Sequence, residues 1–491
     1  MDTIYNCIDN RWVAGQGEEG ATLNPATGET LASYRIAGRS QLEEALSCAR
    51  RAHALWAGTA MEKRISMLER YVELLREQSD NLSRLVSQET GKLHWDARGE
   101  VSAMIGKLKH TLNAYKMRCP EMAQDLAGVR AICHWRALGV LVVIGPFNFP
   151  GHLPNGHILP ALLAGNVVLF KPSEYTPLVG RRLVQLLLKA GLPAGVVQLI
   201  LGDKEISQYL CGHPGIDGVL FTGSARVGKA IHQSLAGQPR KMLALEMGGN
   251  NPLIVDACRD LKAAVYHTLL SAYITSGQRC TCARRLIIVE SATSGRFVDM
   301  LTESVRNLPV GYPNDDPEPF VGPMITAEAA QSVLEYQARQ IERGAIPLHP
   351  CMLRDERALL GPGLLDCTGI EDDDTECFGP LLKVYRVKSL EEAVTLANQT
   401  AYGLSASLLG DDPAAYAYFR QTIRAGIVNW NRQTTGASGA LPFGGIGDSG
   451  NFRPSGFLAV DYCTYPVSSL EAPELKMPGE VSPGLQGLPW T

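Results

Sequence analysis

The sequence predicts an α/β protein with two parallel-sheet domains, and three observations carry that expectation. Short apolar runs at Val140–Ile144, Val167–Phe170, Val196–Leu199 and Val219–Phe221 are divided by helix-length segments such as Leu178–Ala190. Strands that alternate with helices build a parallel sheet. The alternation resumes after Asn250, with Leu253–Val255, a helix near Leu261–Ile274 and a run at Leu286–Val289. The 49 glycines and 29 prolines stand singly between these runs, as a chain that turns often requires. A length of 491 residues fits about two to four domains, and a core of that size needs no disulfide or metal to hold it.

The remaining elements follow in order. Ser40-Gln41-Leu42-Glu43 matches a capping box, and Leu42, Ala45, Leu46, Ala49 and Trp56 follow at helical spacing. A second helix from about Glu62 places Ile65, Leu68, Val72 and Leu75 on one face, and Gly91 suits the stop of the helical stretch after it. Ala123–Leu138 is strand-like and polar, which predicts an arm leaving the first domain. The Pro/Gly-rich tail after Leu470 is expected to be irregular.

Composition narrows the function classes. A net charge of −4 argues against a broadly basic nucleic-acid surface or a polybasic membrane anchor. Apolar stretches such as Ala137 to Ile144 are far short of the ~20 residues a spanning helix needs. The N-terminus has no apolar run of the signal-peptide kind. Twelve cysteines without a C-x-x-C pair read as reduced thiols in a cytoplasmic enzyme.

Four segments hold candidate chemistry. Gly223-Ser224-Ala225-Arg226-Val227-Gly228-Lys229-Ala230 follows an apolar run and opens a helix, where backbone N–H groups can meet a phosphate. A P-loop needs Ser or Thr at position 230, which is Ala, and the G-x-G-x-x-G fingerprint is absent. A purely structural turn competes with both readings. Cys280, in Ser276-Gly277-Gln278-Arg279-Cys280-Thr281-Cys282, falls in a connection beside Arg279. A nucleophilic cysteine needs a positive neighbour or a base, whereas most free cysteines are small buried apolar groups. No nearby Cys or His completes a metal set with Cys280 and Cys282. Glu246, before Gly248-Gly249, is a candidate base if burial raises its pKa, with a turn-capping carboxylate as the alternative. Asn148, in Gly145-Pro146-Phe147-Asn148-Phe149-Pro150, offers a neutral N–H donor for an oxyanion, with a turn asparagine as the alternative.

Taken together, these segments resemble the aldehyde dehydrogenase superfamily. Phe147–Pro150, Lys171–Glu174, Phe221–Ser224, Leu245–Gly249, Gly277–Cys280, Glu376–Pro380, Tyr402–Ala406 and Pro442–Gly445 match its motifs in family order, from about Tyr5 to Leu470. Within the superfamily, Gly145–Glu174, Gly277–Cys282 and Thr435–Ser438 are similar to the succinylglutamate semialdehyde dehydrogenase branch, which serves the succinyl route of arginine breakdown. Two departures are small: Met247 stands where Leu is commoner, and Phe147 where Trp or Tyr is frequent.

The resemblance implies a Rossmann-type cofactor domain at residues 1–122 and 139–246 and an α/β catalytic domain at 247–446. It further implies that 447–459 returns to the cofactor domain, and that 123–138 and 460–491 form a small β oligomerisation arm and tail of a homodimer or larger assembly. It makes Cys280 the nucleophile, Asn148 and the Cys280 N–H the oxyanion donors, and Glu246 the base that releases the acid from a thioester. Lys171 and Glu174 would bind the adenosine ribose of NAD, with Glu174 disfavouring a 2′-phosphate. Gly223, Ser224 and Gly228 would hold the pyrophosphate, Glu376 the nicotinamide ribose, and Phe378 would lie near that ring. No metal is implied. A substrate with two carboxylates would need local cations, for which Arg279 and Arg432 are candidates, with structural ion pairs as the alternative. His152 and His157 are expected in turns, with lining of the substrate entrance as the alternative, and their spacing of five does not suit one helix face, so no metal site is assigned to them. Outside this class, a phosphate-binding NTPase and an inactive scaffold remain the alternatives.

Overall fold

The computed structural model describes residues 2–126, 129–355, 357–477 and 479–490. The first large sheet runs Met242–Glu246, Gly218–Thr222, Val140–Ile144, Val167–Lys171 and Val197–Leu199 in parallel, and the antiparallel strands Asn6–Ile8 and Arg11–Val13 close one edge. Every residue of Val140–Ile144, Val167–Lys171 and Gly218–Thr222 is buried, which is why these runs are continuously apolar rather than alternating. The chain leaves Val140–Ile144 in one direction along the sheet, then crosses back to Gly218–Thr222 on its other side. Such a reversal opens a crevice at the carboxyl ends of the strands, where ligands of open α/β sheets bind.

The second sheet orders Ile346–His349, Gly363–Asp366, Leu381–Val387, Ala283–Val289, Asn251–Val255, Ser405–Leu409 and Ile427–Trp430, all parallel except the first. Glu246 ends a strand of the first sheet, and Asn251 begins one of the second. The carboxyl ends of one sheet therefore face the amino ends of the other. The expected arm is a strand pair, Met122–Leu126 and Val129–Ala137, and Thr464–Glu471 returns to pair along the second strand from Ala137 to Arg130. Residues 127 and 128 of the expected arm, and 478 and 491 of the expected tail, lie outside the described residues.

Three local expectations change. The first helix is Arg39–Ala57 with Gly38, not Ser40, at its cap. Gln41 reaches back to accept the Gly38 N–H at 3.0 Å and the Gln16 N–H at 3.1 Å, so the reciprocal contact starts two residues earlier than the Ser-x-x-Glu spacing suggested. The helix over Leu261–Ile274 stops at Ala272, because the next residues bend into the loop that carries Cys280. His152 and His157 belong to the helix His152–Ala164 rather than to turns.

Candidate active site

The loop before Cys280 holds three consecutive left-handed residues, Thr275 (φ 54°), Ser276 (φ 53°) and Gly277 (φ 70°). Two non-glycine residues in that region cost on the order of 1–3 kcal/mol each and persist only where neighbours enforce them. Those neighbours are present. Thr275 Oγ1 donates to Asp96 and accepts from Arg279 Nε at 2.8 Å. Ser276 Oγ donates to the Gly322 carbonyl at 2.7 Å. A Cβ at Gly277 would come within 2.0 Å of the Gly379 carbonyl oxygen, so only glycine fits.

Beyond the turn, Arg284 is fully buried and donates to the carbonyls of Gly277 (2.7 Å), Arg279 (3.1 Å) and Gly379 (3.2 Å). Asn251 donates to the carbonyls of Cys280 (2.7 Å) and Cys282 (2.9 Å). The Cys280 loop is thus pinned through its backbone, leaving the Cys280 side chain half-buried and without a hydrogen bond among the described residues. Burial pushes its thiol up to about 12, with the Glu376 and Glu246 carboxylates adding to the shift and Arg284 opposing it. Arg279 does not supply the positive neighbour expected from sequence: its guanidinium turns to Asp96 at 2.8 Å and lies 5.0 Å over the Phe149 ring. A thiol held this way needs a base.

Glu246 lies within Coulombic reach of that thiol, at the end of Met242–Glu246 and 4% exposed. One oxygen accepts the Ser455 N–H at 2.8 Å, and the other is buried with no partner. Burial raises the carboxyl to about 8, the value a base working near neutral pH requires. Asn148 is buried, and its Nδ2 donates to the Gln278 carbonyl at 2.8 Å. One N–H of the amide holds it against the Cys280 loop, and an amide nitrogen carries a second N–H that can donate elsewhere.

Lys171, Glu174, Gly223 and Ser224, expected to hold a cofactor, stand at or just after carboxyl ends of strands in the first sheet. Lys171 ends its strand, buried, with Nζ 3.6 Å from the exposed Glu174 carboxylate. Ser224 caps the helix Ala225–Leu235, placing Gly223 and the free N–H groups of the first turn at the mouth of the crevice. Gly228 lies inside that helix rather than in the turn, where a Cβ would strike Met247 Sδ at 2.3 Å, so its smallness serves packing. Lys229 pairs with Asp448, which removes the phosphate-facing lysine of the P-loop alternative. Glu376 is half-buried and accepts the Gly249 N–H at 3.1 Å, while a Cβ at Gly248 would meet it at 1.8 Å. Phe378 sits edge-on to Phe147 with ring centroids 6.0 Å apart, and Phe147 likewise to Tyr175. A lysine at a strand end, a capped helix start after a glycine and a carboxylate against Gly248-Gly249 have the chemistry to hold a dinucleotide.

The family profile described as the aldehyde dehydrogenase family matches residues 12–467. The chain belongs to the aldehyde dehydrogenase family. A relative from Chromohalobacter salexigens, named N-succinylglutamate 5-semialdehyde dehydrogenase, is 50% identical over 479 residues, covering 97% of this chain and 98% of its own. An NADP-dependent glyceraldehyde-3-phosphate dehydrogenase from Bacillus halodurans, solved with NADP, is 29% identical with a TM-score of 0.90, covering 96% and 100% of the two chains. A putative methylmalonate-semialdehyde dehydrogenase from Sinorhizobium meliloti, solved with NAD, is 28% identical with a TM-score of 0.91, covering 97% and 99%. The protein is accordingly an aldehyde-oxidising oxidoreductase of the α/β dehydrogenase fold that uses a nicotinamide cofactor.

Several positions of this aldehyde dehydrogenase escaped the sequence reading: Asp96, Asn251, Arg284 and Ser455. Only Arg284 left a signal, since Arg284-Arg285 interrupts an otherwise apolar strand and arginines are almost never fully buried unpaired. The two arginines named for substrate recognition differ. Arg432 is exposed, and no carboxylate among the described residues lies within ion-pair distance of it. Arg279→Gln should leave Asp96 buried without its partner, destabilise the protein by about 3–5 kcal/mol and slow anionic and neutral aldehydes together. Arg432→Gln should impair a succinylated aldehyde alone. Thermal unfolding and paired kinetics on both substrates check this, and equal losses in Arg432→Gln would refute its recognition role.

Proposed function

We propose that this enzyme oxidises N-succinyl-L-glutamate 5-semialdehyde to N-succinyl-L-glutamate with NAD, in the succinyl route of arginine breakdown in the cytoplasm. The observation that carries the reading is the 50% identity, over nearly the full length of both chains, to a relative bearing that substrate's name. In this reading Cys280 is the nucleophile, and its proton passes to Glu246, which lies within Coulombic reach of the thiol and has one buried oxygen without a partner among the described residues. The amide of Asn148 and the N–H of Cys280 stabilise the oxyanion as the carbon becomes tetrahedral. The bound nicotinamide supplies the acceptor for the departing hydride. Glu246, ionised again, takes a proton from the water that releases the acid from sulfur.

Lys171 and Glu174 hold the adenosine ribose, Gly223 and Ser224 the pyrophosphate, and Glu376 and Phe378 the nicotinamide end. Half-exposed Glu174 meets a 2′-phosphate with like charge, which favours NAD. The strands Met122–Leu126, exposed throughout, and Thr464–Glu471 suit a homodimer edge, which a solution mass measurement checks. The deciding experiment is a panel of semialdehydes with both cofactors. The succinylated substrate with NAD should give the highest kcat/KM, and Glu174→Gln should narrow the NAD preference by roughly tenfold. A better turnover of another aldehyde, or of NADP by the unaltered enzyme, would displace the reading.

A further inference from the structure

The helix His94–Arg118 packs along His152–Ala164 beside the nucleophile loop, and this corner holds an unusual density of cations. Lys92 is buried, lies 3.4 Å over the Phe149 ring and pairs with buried Glu100 at 2.6 Å. Arg279 lies over the same ring and pairs with Asp96. The second Glu100 oxygen accepts the N–H groups of Gly151 (2.9 Å) and His152 (3.0 Å). Both acids are therefore consumed by the first two cations and a helix start.

Lys107 is the third cation, and nothing offsets it. It is half-buried, and its ammonium has no hydrogen-bond or ion-pair partner among the described residues. Its Nζ would stand 3.8 Å from a Cβ at Gly156, so the ammonium lies directly against this glycine of the helix His152–Ala164. His152, one turn before Gly156, has a buried Nδ1 with no partner, and its ring lies 6.2 Å from that of Phe149. The far wall is the loop that carries Arg432: a Cβ at Gly439 would touch the His110 ring at 3.0 Å. Desolvation alone depresses the Lys107 ammonium to about 8, and burial first, with the cations Lys107, Lys92 and Arg279 adding to it, holds His152 well below its ordinary range. The corner carries one net positive charge, a buried N–H donor or acceptor and an apolar ring, and it begins at Arg279, one residue from Cys280.

A desolvated, uncompensated ammonium, even on a half-buried side chain, is costly unless an anion joins it. We infer that Lys107, with His152 beside it, is the subsite that binds a carboxylate of the aldehyde substrate, and that it selects anionic over neutral aldehydes. The inference rests on the reading of Cys280 as the nucleophile of an acidic aldehyde. It adds a cation that the sequence did not single out, and it leaves Arg432 to meet the second carboxylate of a dianionic substrate.

The test compares N-succinylglutamate semialdehyde, succinic semialdehyde and butanal on the native enzyme, Lys107→Met and Lys107→Arg. Losing one charged contact should lower the ratio of kcat/KM for each anionic aldehyde to that for butanal by about tenfold or more in Lys107→Met, chiefly through KM. Lys107→Arg should keep the ratio closer to native. A merely structural lysine would depress all three substrates together. A ratio that falls less than tenfold in Lys107→Met overturns the inference, whichever anionic aldehyde is preferred. Native enzyme that handles N-succinylglutamate semialdehyde no better than succinic semialdehyde refutes the substrate reading instead, while a selective loss on succinic semialdehyde would still uphold Lys107.

Discussion

Cys280→Ser is expected to reduce aldehyde oxidation on the order of 10⁴-fold or more, equivalent to about 5 kcal/mol of barrier, with the fold intact. The loop geometry does not depend on the sulfur. Asn251 holds the Cys280 carbonyl, Arg284 holds its neighbours, and Thr275 and Ser276 are tied to Asp96 and Gly322. Serine would occupy the same position with the same backbone. What is lost is the nucleophile: a hydroxyl is far harder to ionise than a thiol, and Glu246 at about 8 is too weak a base to compensate. NADH formation in a stopped assay, together with unchanged thermal unfolding, checks the prediction. Retention of full activity would remove Cys280 from the mechanism.

Glu246→Gln should be the second largest effect, on the order of 10²–10⁴-fold in turnover, with a distinctive pH signature. Burial raises this carboxyl to about 8, so below that pH it is mostly protonated and cannot accept a proton. Turnover of the native enzyme should therefore climb about tenfold per pH unit from 6 toward 8, then level off as the group ionises. The glutamine variant should lack this limb. It should also retain a single burst of NADH if acyl-enzyme release is the slower of the two steps the base serves. A native pH profile that is flat between 6 and 8 would contradict the assignment of Glu246 as the base.

Much of this was legible in sequence because it depends on local order. The buried strands of the first sheet are continuous apolar runs, and their limits agree with the structure to within one or two residues. Gly91 ends its helix in the left-handed conformation, as a glycine at that place should. The helix cap at Gly38 was misplaced because Gln41 also serves Gln16, a partner 25 residues away that no local pattern records.

The site divides in the same manner. Cys280, Glu246 and Asn148 stand next to strand ends and glycines, and motif order was enough to choose them. Charge pairing was not legible. Arg279 looked like the cation of the site because it adjoins Cys280, yet Asp96, 183 residues earlier, neutralises it. Lys107 drew no notice because nothing in its sequence neighbourhood says that the helix buries it without an acid.

By itself, the sequence determined the α/β class and the family and named the candidate reacting groups, since these follow from periodicity and from short motifs that survive without knowledge of distant contacts. Only the tertiary structure decided which charges are free. An ion pair forms between residues that the fold brings within about 4 Å, and burial sets whether a carboxyl, a thiol or an ammonium keeps its ordinary pKa. Both quantities belong to the packed crevice between the two sheets and to no segment of the chain.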